Sequence, residues 1–175
     1  MRTLVRLALP PAVFALSMLF ARSVRAEAAV AGDIDFAAPI DSSLSAGAGF
    51  GLRVGYHAHI PFIIVTPELA FSYFGFGGDY PASLYRGAAG VRLAVGEIIR
   101  PGIFAHVGVA RLGADGPPPD PSHSALSYDA GAFLDFTLLP LINIGAHAAY
   151  NRLDAKDGVG AVDWMTLGAH AEVVF

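Results

Sequence analysis

The chain has no cysteine and a single lysine, Lys156. Without cysteine there is no disulfide framework, no thiolate metal site and no lipid-modified cysteine. Charge is scarce as well: Asp, Glu, Lys and Arg make up 15% of the residues, against about a quarter in an ordinary soluble domain. Beyond residue 26 no run is long and apolar enough for a spanning helix, which needs about 20 such residues. Residues 138–150 come nearest, but that stretch is short, holds Pro140 and alternates in character. Abundant Gly and Ala argue against a fold of long helices rich in Leu, Glu and Lys. What remains is an apolar chain of 175 residues, long enough for one domain or one closed sheet.

The N-terminus reads as a secretory signal. Arg2 and Arg6 form its positive region, residues 7–20 its apolar core, and residues 21–26 a short small-residue segment. Cleavage fits after Ala26 or after Ala28, leaving residues 27–175 as the mature domain. A membrane anchor is the rival, but the apolar run is short and holds Pro10 and Pro11. Loss of residues 1–26 removes four arginines and leaves 7 basic residues against 15 acidic ones, a net charge of −8. Such a chain is a poor partner for nucleic acid, which requires cations to neutralise phosphates.

After residue 43 the sequence alternates with period two, the signature of half-buried strands. Seven strands are expected near residues 46–57, 63–73, 85–95, 103–110, 126–136, 142–151 and 164–175. Short turns at 58–61, 96–101 and 138–140 alternate with longer loops at 75–83, 113–124 and 153–160. Tight periplasmic turns opposite long external loops are the habit of outer-membrane barrels. An even strand count then demands an ascending first strand. Residues 30–37 are its candidate, with 38–44 as the first external loop. Pro67 falls inside a strand and predicts a bulge there or other strand limits, because a closed barrel has no edge to hide a missing N–H.

The two faces decide which side meets lipid. One face carries Leu, Val, Ile, Phe and Tyr. The other is mostly Gly, Ala, Ser and His, which suits a narrow interior better than a water-facing surface. A charge on the lipid face costs about 2–4 kcal/mol at mid-depth, and that face lacks lysine; its Arg111 and Asp163 fall at external strand ends. Aromatics on the same face sort by strand end. Phe71, Tyr73, Tyr85, Tyr128 and Tyr150 lie near external ends, and Tyr56, Phe136 and Phe175 near periplasmic ends. Two aromatic girdles are what a membrane barrel presents at its interfaces.

The C-terminal run Leu167, Ala169, Ala171, Val173, Phe175 resembles the terminal assembly signal of outer-membrane proteins. With the signal peptide and strand count, the mature chain is similar to the eight-stranded OmpA/OmpX-type barrels. The resemblance covers nearly the whole mature chain in pattern and reaches motif level only in the last strand. It implies an all-β, eight-stranded antiparallel up-and-down transmembrane β-barrel in the bacterial outer membrane, reached by Sec-type export. It also implies contact with outer-membrane lipid and lipopolysaccharide. Periplasmic chaperones and the barrel-assembly machinery would act during biogenesis. Nothing after Phe175 matches the peptidoglycan-binding module of full-length OmpA, so wall anchoring is not carried over.

Arg53, Glu68, Arg86, Arg92, Asp129, Asp135 and Glu172 are expected to point inward. An Arg53–Glu68–Arg92 cluster follows from the turns near 59 and 79. Buried charges must pair to offset desolvation, so the cluster reads as a plug rather than a gated path. His57, His106, His147 and His170 also face inward. His57 and His59 could give two nitrogens to a metal, but no third ligand is evident, so no metal and no cofactor are expected. Asp120, Ser122 and His123 crowd one Pro-rich loop, where adjacent residues do not converge into a catalytic triad. No catalytic residue is assigned.

Three functions compete. The first is a non-enzymatic barrel with a side-chain-packed lumen and a structural or surface-contact role through its external loops. The second is a narrow channel or hydrophobic small-molecule conduit lined by Phe74, Phe104 and Phe133. The third is a lipid-modifying enzyme, for which no residue constellation speaks. A soluble lipocalin-like barrel is the alternative to the membrane reading.

Overall fold

The computed structural model describes residues 25–40, 44–78, 81–114, 123–155 and 160–175. Among them eight strands form one closed antiparallel barrel in chain order. They are β1 Arg25–Ile40, β2 Ser45–Ile60, β3 Ile63–Gly77, β4 Ala82–Ala94, β5 Ile99–Ala114, β6 His123–Leu139, β7 Ile142–Leu153 and β8 Val162–Val174. Each strand pairs with its chain neighbours, and β1 closes the ring on β8 from Ala29↔Val174 to Ile40↔Asp163. Closure leaves no edge strand.

Side-chain burial alternates residue by residue along every strand. On β2, Phe50, Leu52, Val54 and Tyr56 point outward and are exposed, while Arg53 and His57 point inward and are buried. Ile34, Phe36, Leu69, Ile103, Val107, Leu126 and Leu167 continue the outward apolar belt. In water so large an apolar surface would drive association. Against lipid it is the surface that a barrel requires.

The strands run further than the sequence pattern indicated. The first strand spans Arg25–Ile40 rather than residues 30–37, so 38–40 belong to the wall and not to a loop. Strand β2 continues to Ile60, and its turn is Pro61 and Phe62. Phe62 has φ 72°, a left-handed conformation uncommon outside glycine, at the second central position after Pro61, as in a type II turn. Strand β5 begins at Ile99, inside the expected 96–101 turn. The turn between β6 and β7 is Pro140 and Leu141 rather than 138–140. Gly96 takes φ 99° in the second short turn, between β4 and β5. Residues 1–24, most of the expected signal segment, lie outside the described residues, as do Asp120 and Ser122 of the Pro-rich loop.

Pro67 corrects a second expectation. No bulge occurs there: Pro67 pairs in register with Val91 of β4. On its other side the β2–β3 register passes from Gly55↔Glu68 to Ala58↔Val65 without a shift and without pairs at Tyr56 and His57. The missing N–H is absorbed as a local gap in the ladder. Register shifts occur instead at Ser45/Gly47 and Thr137/Leu139, close to strand ends.

Candidate functional site in the barrel lumen

The inward residues sort into layers from the long-loop end to the short-turn end. Inward positions near the external strand ends are apolar: Phe74, Phe76, Leu84, Leu112, Leu153 and Trp164 form one buried cluster. Trp164 is fully buried, with its ring centroid 5.9 Å from Phe74 and 6.1 Å from Phe76. This cluster caps the lumen.

Below the cap the lumen is ionic. Asp33 of β1 takes Arg53 Nε at 3.0 Å and Nη2 at 2.9 Å. Arg53 Nη1 donates to Glu68 at 3.3 Å. The other Glu68 oxygen meets His106 Nε2 at 2.8 Å, and His106 Nδ1 meets Asp129 at 2.7 Å. Asp129 then pairs with Arg86. Six side chains from six strands are thereby joined across the lumen. A second chain runs Asp35–His147–His170–Asp135 and ends where Arg92 donates to Asp135 at 3.4 Å. Arg92 also lies 3.8 Å over the Phe133 ring, a cation–π contact in a desolvated setting. The cavity left between these groups measures about 70 Å3.

Nearer the short turns, Asn143 donates to Glu172 at 2.8 Å, and His57 Nε2 lies 3.4 Å from the same carboxylate. A vestibule of about 710 Å3 opens there, bordered by Glu27, His57, His59, Phe62, Glu97 and Arg100. Ten times the central volume separates this open mouth from the packed middle.

All seven inward charges expected from the pattern are buried, but their partners differ in one respect. Arg53 and Glu68 meet; Arg92 does not join them. The β3–β4 register sets Arg92 opposite Thr66 and Gly90 opposite Glu68. Arg92 therefore sits one inward step below Glu68 and reaches Asp135 instead, while His106 takes the vacant side of Glu68. Asp33, Asp35 and Arg100 escaped the sequence reading. Asp33 and Asp35 alternate with Ile34 and Phe36, a signal hidden because the limits of the first strand were not legible. Arg100 was assigned to a turn that the structure makes strand.

The expectation that His57 and His59 lack a third metal ligand is corrected as well. Glu27 of β1 stands opposite His57 in the register, and the three groups lie close enough to share an ion. His59 Nε2 is 3.4 Å from Glu27. Phe104 and Phe133 face inward with ring centroids 6.3 Å apart, yet Phe74 belongs to the cap, so the three rings form no continuous apolar path.

On the outer wall, Phe50, Tyr73 and Tyr85 make one external aromatic patch with ring centroids 5.4 and 4.9 Å apart. Phe71, Tyr128 and Tyr150 are exposed on the same face, and Tyr150 donates to Asp163 at 2.7 Å. Tyr56, Phe136 and Phe175 are exposed toward the short-turn end. Leu167, Ala169, Ala171 and Val173 line the outer face of β8, and Phe175 donates its backbone N–H to Ala28.

No protein-family model matches the chain, and no curated protein sequence matches it. Solved structures do. Neisserial surface protein A superposes with a TM-score of 0.68 at 18% identity, over 86% of this chain and 99% of that one. The N-terminal β-barrel domain of Pseudomonas aeruginosa OprF gives 0.55 at 16% identity, over 86% and 100%. The outer-membrane enzyme PagL gives 0.54 at 17% identity, over 83% and 98%. At these identities the likeness is one of fold. The chain is an all-β, eight-stranded antiparallel barrel of the bacterial outer-membrane type.

Proposed function

We propose that this protein is a non-enzymatic outer-membrane barrel with a sealed lumen, serving the envelope as a structural element or a platform for surface contact through its external loops. The observation that carries this reading is the double closure of the interior. An apolar cap centred on Trp164 overlies two ion-pair chains, and the cavity among them is about 70 Å3. A buried water needs about 10–15 Å3 of such room, so that space holds a handful of waters, and the apolar cap leaves them no continuous hydrated path outward. The polar chains supply rigidity: Arg53, Arg86 and Arg92 each meet a carboxylate, and breaking one such pair leaves an unpaired ion.

A surface role is in keeping with a fold shared by Neisserial surface protein A and by Ail, the attachment invasion locus protein of Yersinia pestis. Ail has also been solved with the heparin analogue sucrose octasulfate, at a TM-score of 0.53 and 18% identity over 87% of this chain and 99% of that one. PagL shows that the same fold also carries an enzyme. Planar-bilayer recording of the refolded mature chain tests the sealed lumen. Silence is expected, and discrete current steps would establish the channel reading instead. Lipid A mass spectra from a deletion strain separate the enzymatic reading: an unchanged profile is expected, and a changed one would overturn the proposal. Export with cleavage after Ala26 or Ala28 belongs to the same proposal, and the N-terminal residue of the mature protein decides between the two cuts.

A further inference from the structure

One pair of side chains in the lumen is not explained by charge pairing. His147 Nδ1 and His170 Nδ1 face each other at 3.3 Å. The other nitrogen of each ring is already engaged: His147 Nε2 with Asp35 at 2.7 Å, and His170 Nε2 with Asp135 at 2.8 Å. An ionised carboxylate only accepts, so each Nε2 donates and carries the ring proton. Two Nδ1 lone pairs are then aimed at one another. That arrangement repels unless a proton or a cation lies between them. The separation is long for a hydrogen bond, which prefers about 2.7–3.2 Å. It equals the spacing of two nitrogens bound at about 2.0–2.1 Å to one tetrahedral cation, which is about 3.3–3.4 Å.

A third ligand stands beside them. A carboxylate oxygen of Asp33 and one nitrogen from each ring lie within 4.8 Å of one another. Arg53 grips Asp33 through Nε and Nη2 and so sets its orientation. The wall is shaped around the pairs. A Cβ on Gly168 would stand 2.1 Å from Asp35 Oδ1 and 2.7 Å from the His147 ring. A Cβ on Gly145 would stand 2.4 Å from Asp135 Oδ1 and 2.7 Å from His170 Nε2. Both carboxylate–imidazole pairs therefore occupy space that only glycine leaves. The cavity of about 70 Å3 borders Asp33, His147 and His170, which leaves room for a water as fourth ligand.

We propose that Asp33, His147 and His170 bind one divalent transition cation of the Zn2+ class in the lumen, with Asp35 and Asp135 fixing the two rings. Two imidazoles and one carboxylate suit Zn2+ or Co2+, whereas Ca2+ and Mg2+ prefer all-oxygen sets. A carboxylate on the far nitrogen of each ligating histidine is the arrangement that metal-bound histidines use to set tautomer and ring angle. The cation would tie β1 to β7 and β8 across the seam that closes the barrel. This goes beyond the sealed-lumen reading, which needs no metal.

The test is zinc binding to the mature barrel refolded in detergent with Zn2+ and then freed of excess metal. About one Zn2+ per chain is expected on the three-ligand site, and Co2+ in its place should give the visible absorption of a tetrahedral complex. His170→Ala and His147→Ala should each lower affinity at least tenfold. Asp35→Asn keeps all three ligands and should weaken binding about 10–100-fold. His57→Ala with His59→Ala should leave binding intact. Heat-modifiable gel migration checks that each variant folds, and Asp35→Asn decides the matter if a histidine variant does not. The proposal is overturned if the wild-type protein retains no zinc. It also fails if zinc survives the His147, His170 and Asp35 substitutions, or is lost only with His57 and His59, which would assign the ion to the vestibule.

Discussion

The two faces of the barrel wall are built from the same strands under opposite rules. The outer face is generic. Leu52, Ile103, Val107 and Leu126 need only be apolar, and one such side chain can replace another with little consequence. The inner face is specific. Glu68 serves Arg53 and His106 together, and Asp129 serves His106 and Arg86. Period-two alternation separates the faces in the sequence, but it says nothing about which inward residues meet. That depends on register and on height in the barrel.

The inner face is the more sensitive of the two to substitution. Glu68→Ala removes the carboxylate shared by Arg53 and His106 and leaves buried cationic groups short of a partner. A loss of about 3–5 kcal/mol is expected, read from urea unfolding in detergent. A loss near zero would mean that water or neighbouring acids already satisfy the network. Trp164→Ala strips the cap and should cost about 3 kcal/mol, at the lower end for a large aromatic removed from a packed interior. The same variant should stay silent in bilayer recordings, because the ionic layers beneath remain closed. Current steps would place the seal in the cap alone.

The outer face is broken by Leu52→Arg, which sets a charge at mid-wall against lipid and should cost about 2–4 kcal/mol. The same change measured in a soluble barrel would be harmless, so a neutral result argues against the membrane belt. The smallest effect on stability belongs to deletion of Phe175. It should lower the amount of barrel assembled in the outer membrane while leaving the lumen untouched. Normal assembly would remove the terminal signal and leave the barrel argument standing.

The legible part of this protein was its alternation. Tyr56, Tyr85, Tyr150 and Phe136 point outward as their parity requires, and Arg53, Arg86, Asp129 and Glu172 point inward. The illegible part lay where alternation is weak or interrupted. In β1, small residues at Ala26, Ala28, Ala29 and Ala31 blur the pattern, so Asp33, Asp35 and Glu27 were not placed in the lumen. Those three residues complete the Arg53 chain, the His147 chain and the His57–His59 group. Pro67 misled for another reason: a proline demands a missing hydrogen bond, which a ladder can absorb as a gap as well as a bulge. The Arg92 partner failed on height, since one inward step along β4 separates a contact with Glu68 from a contact with Asp135.

Adjacent residues of one strand give the most direct test of the wall. Ala148 at the middle of β7 is exposed on the outer face, and its neighbour Ala149 is buried in the lumen. The native chain has no cysteine, so Ala148→Cys and Ala149→Cys each carry a single thiol. In lipid vesicles, a charged, water-soluble maleimide, which needs a hydrated thiolate, should label neither variant, and it should label both once the barrel is unfolded in hot detergent. Labelling of folded Ala149→Cys would contradict the sealed lumen, and labelling of folded Ala148→Cys would contradict the lipid-facing belt.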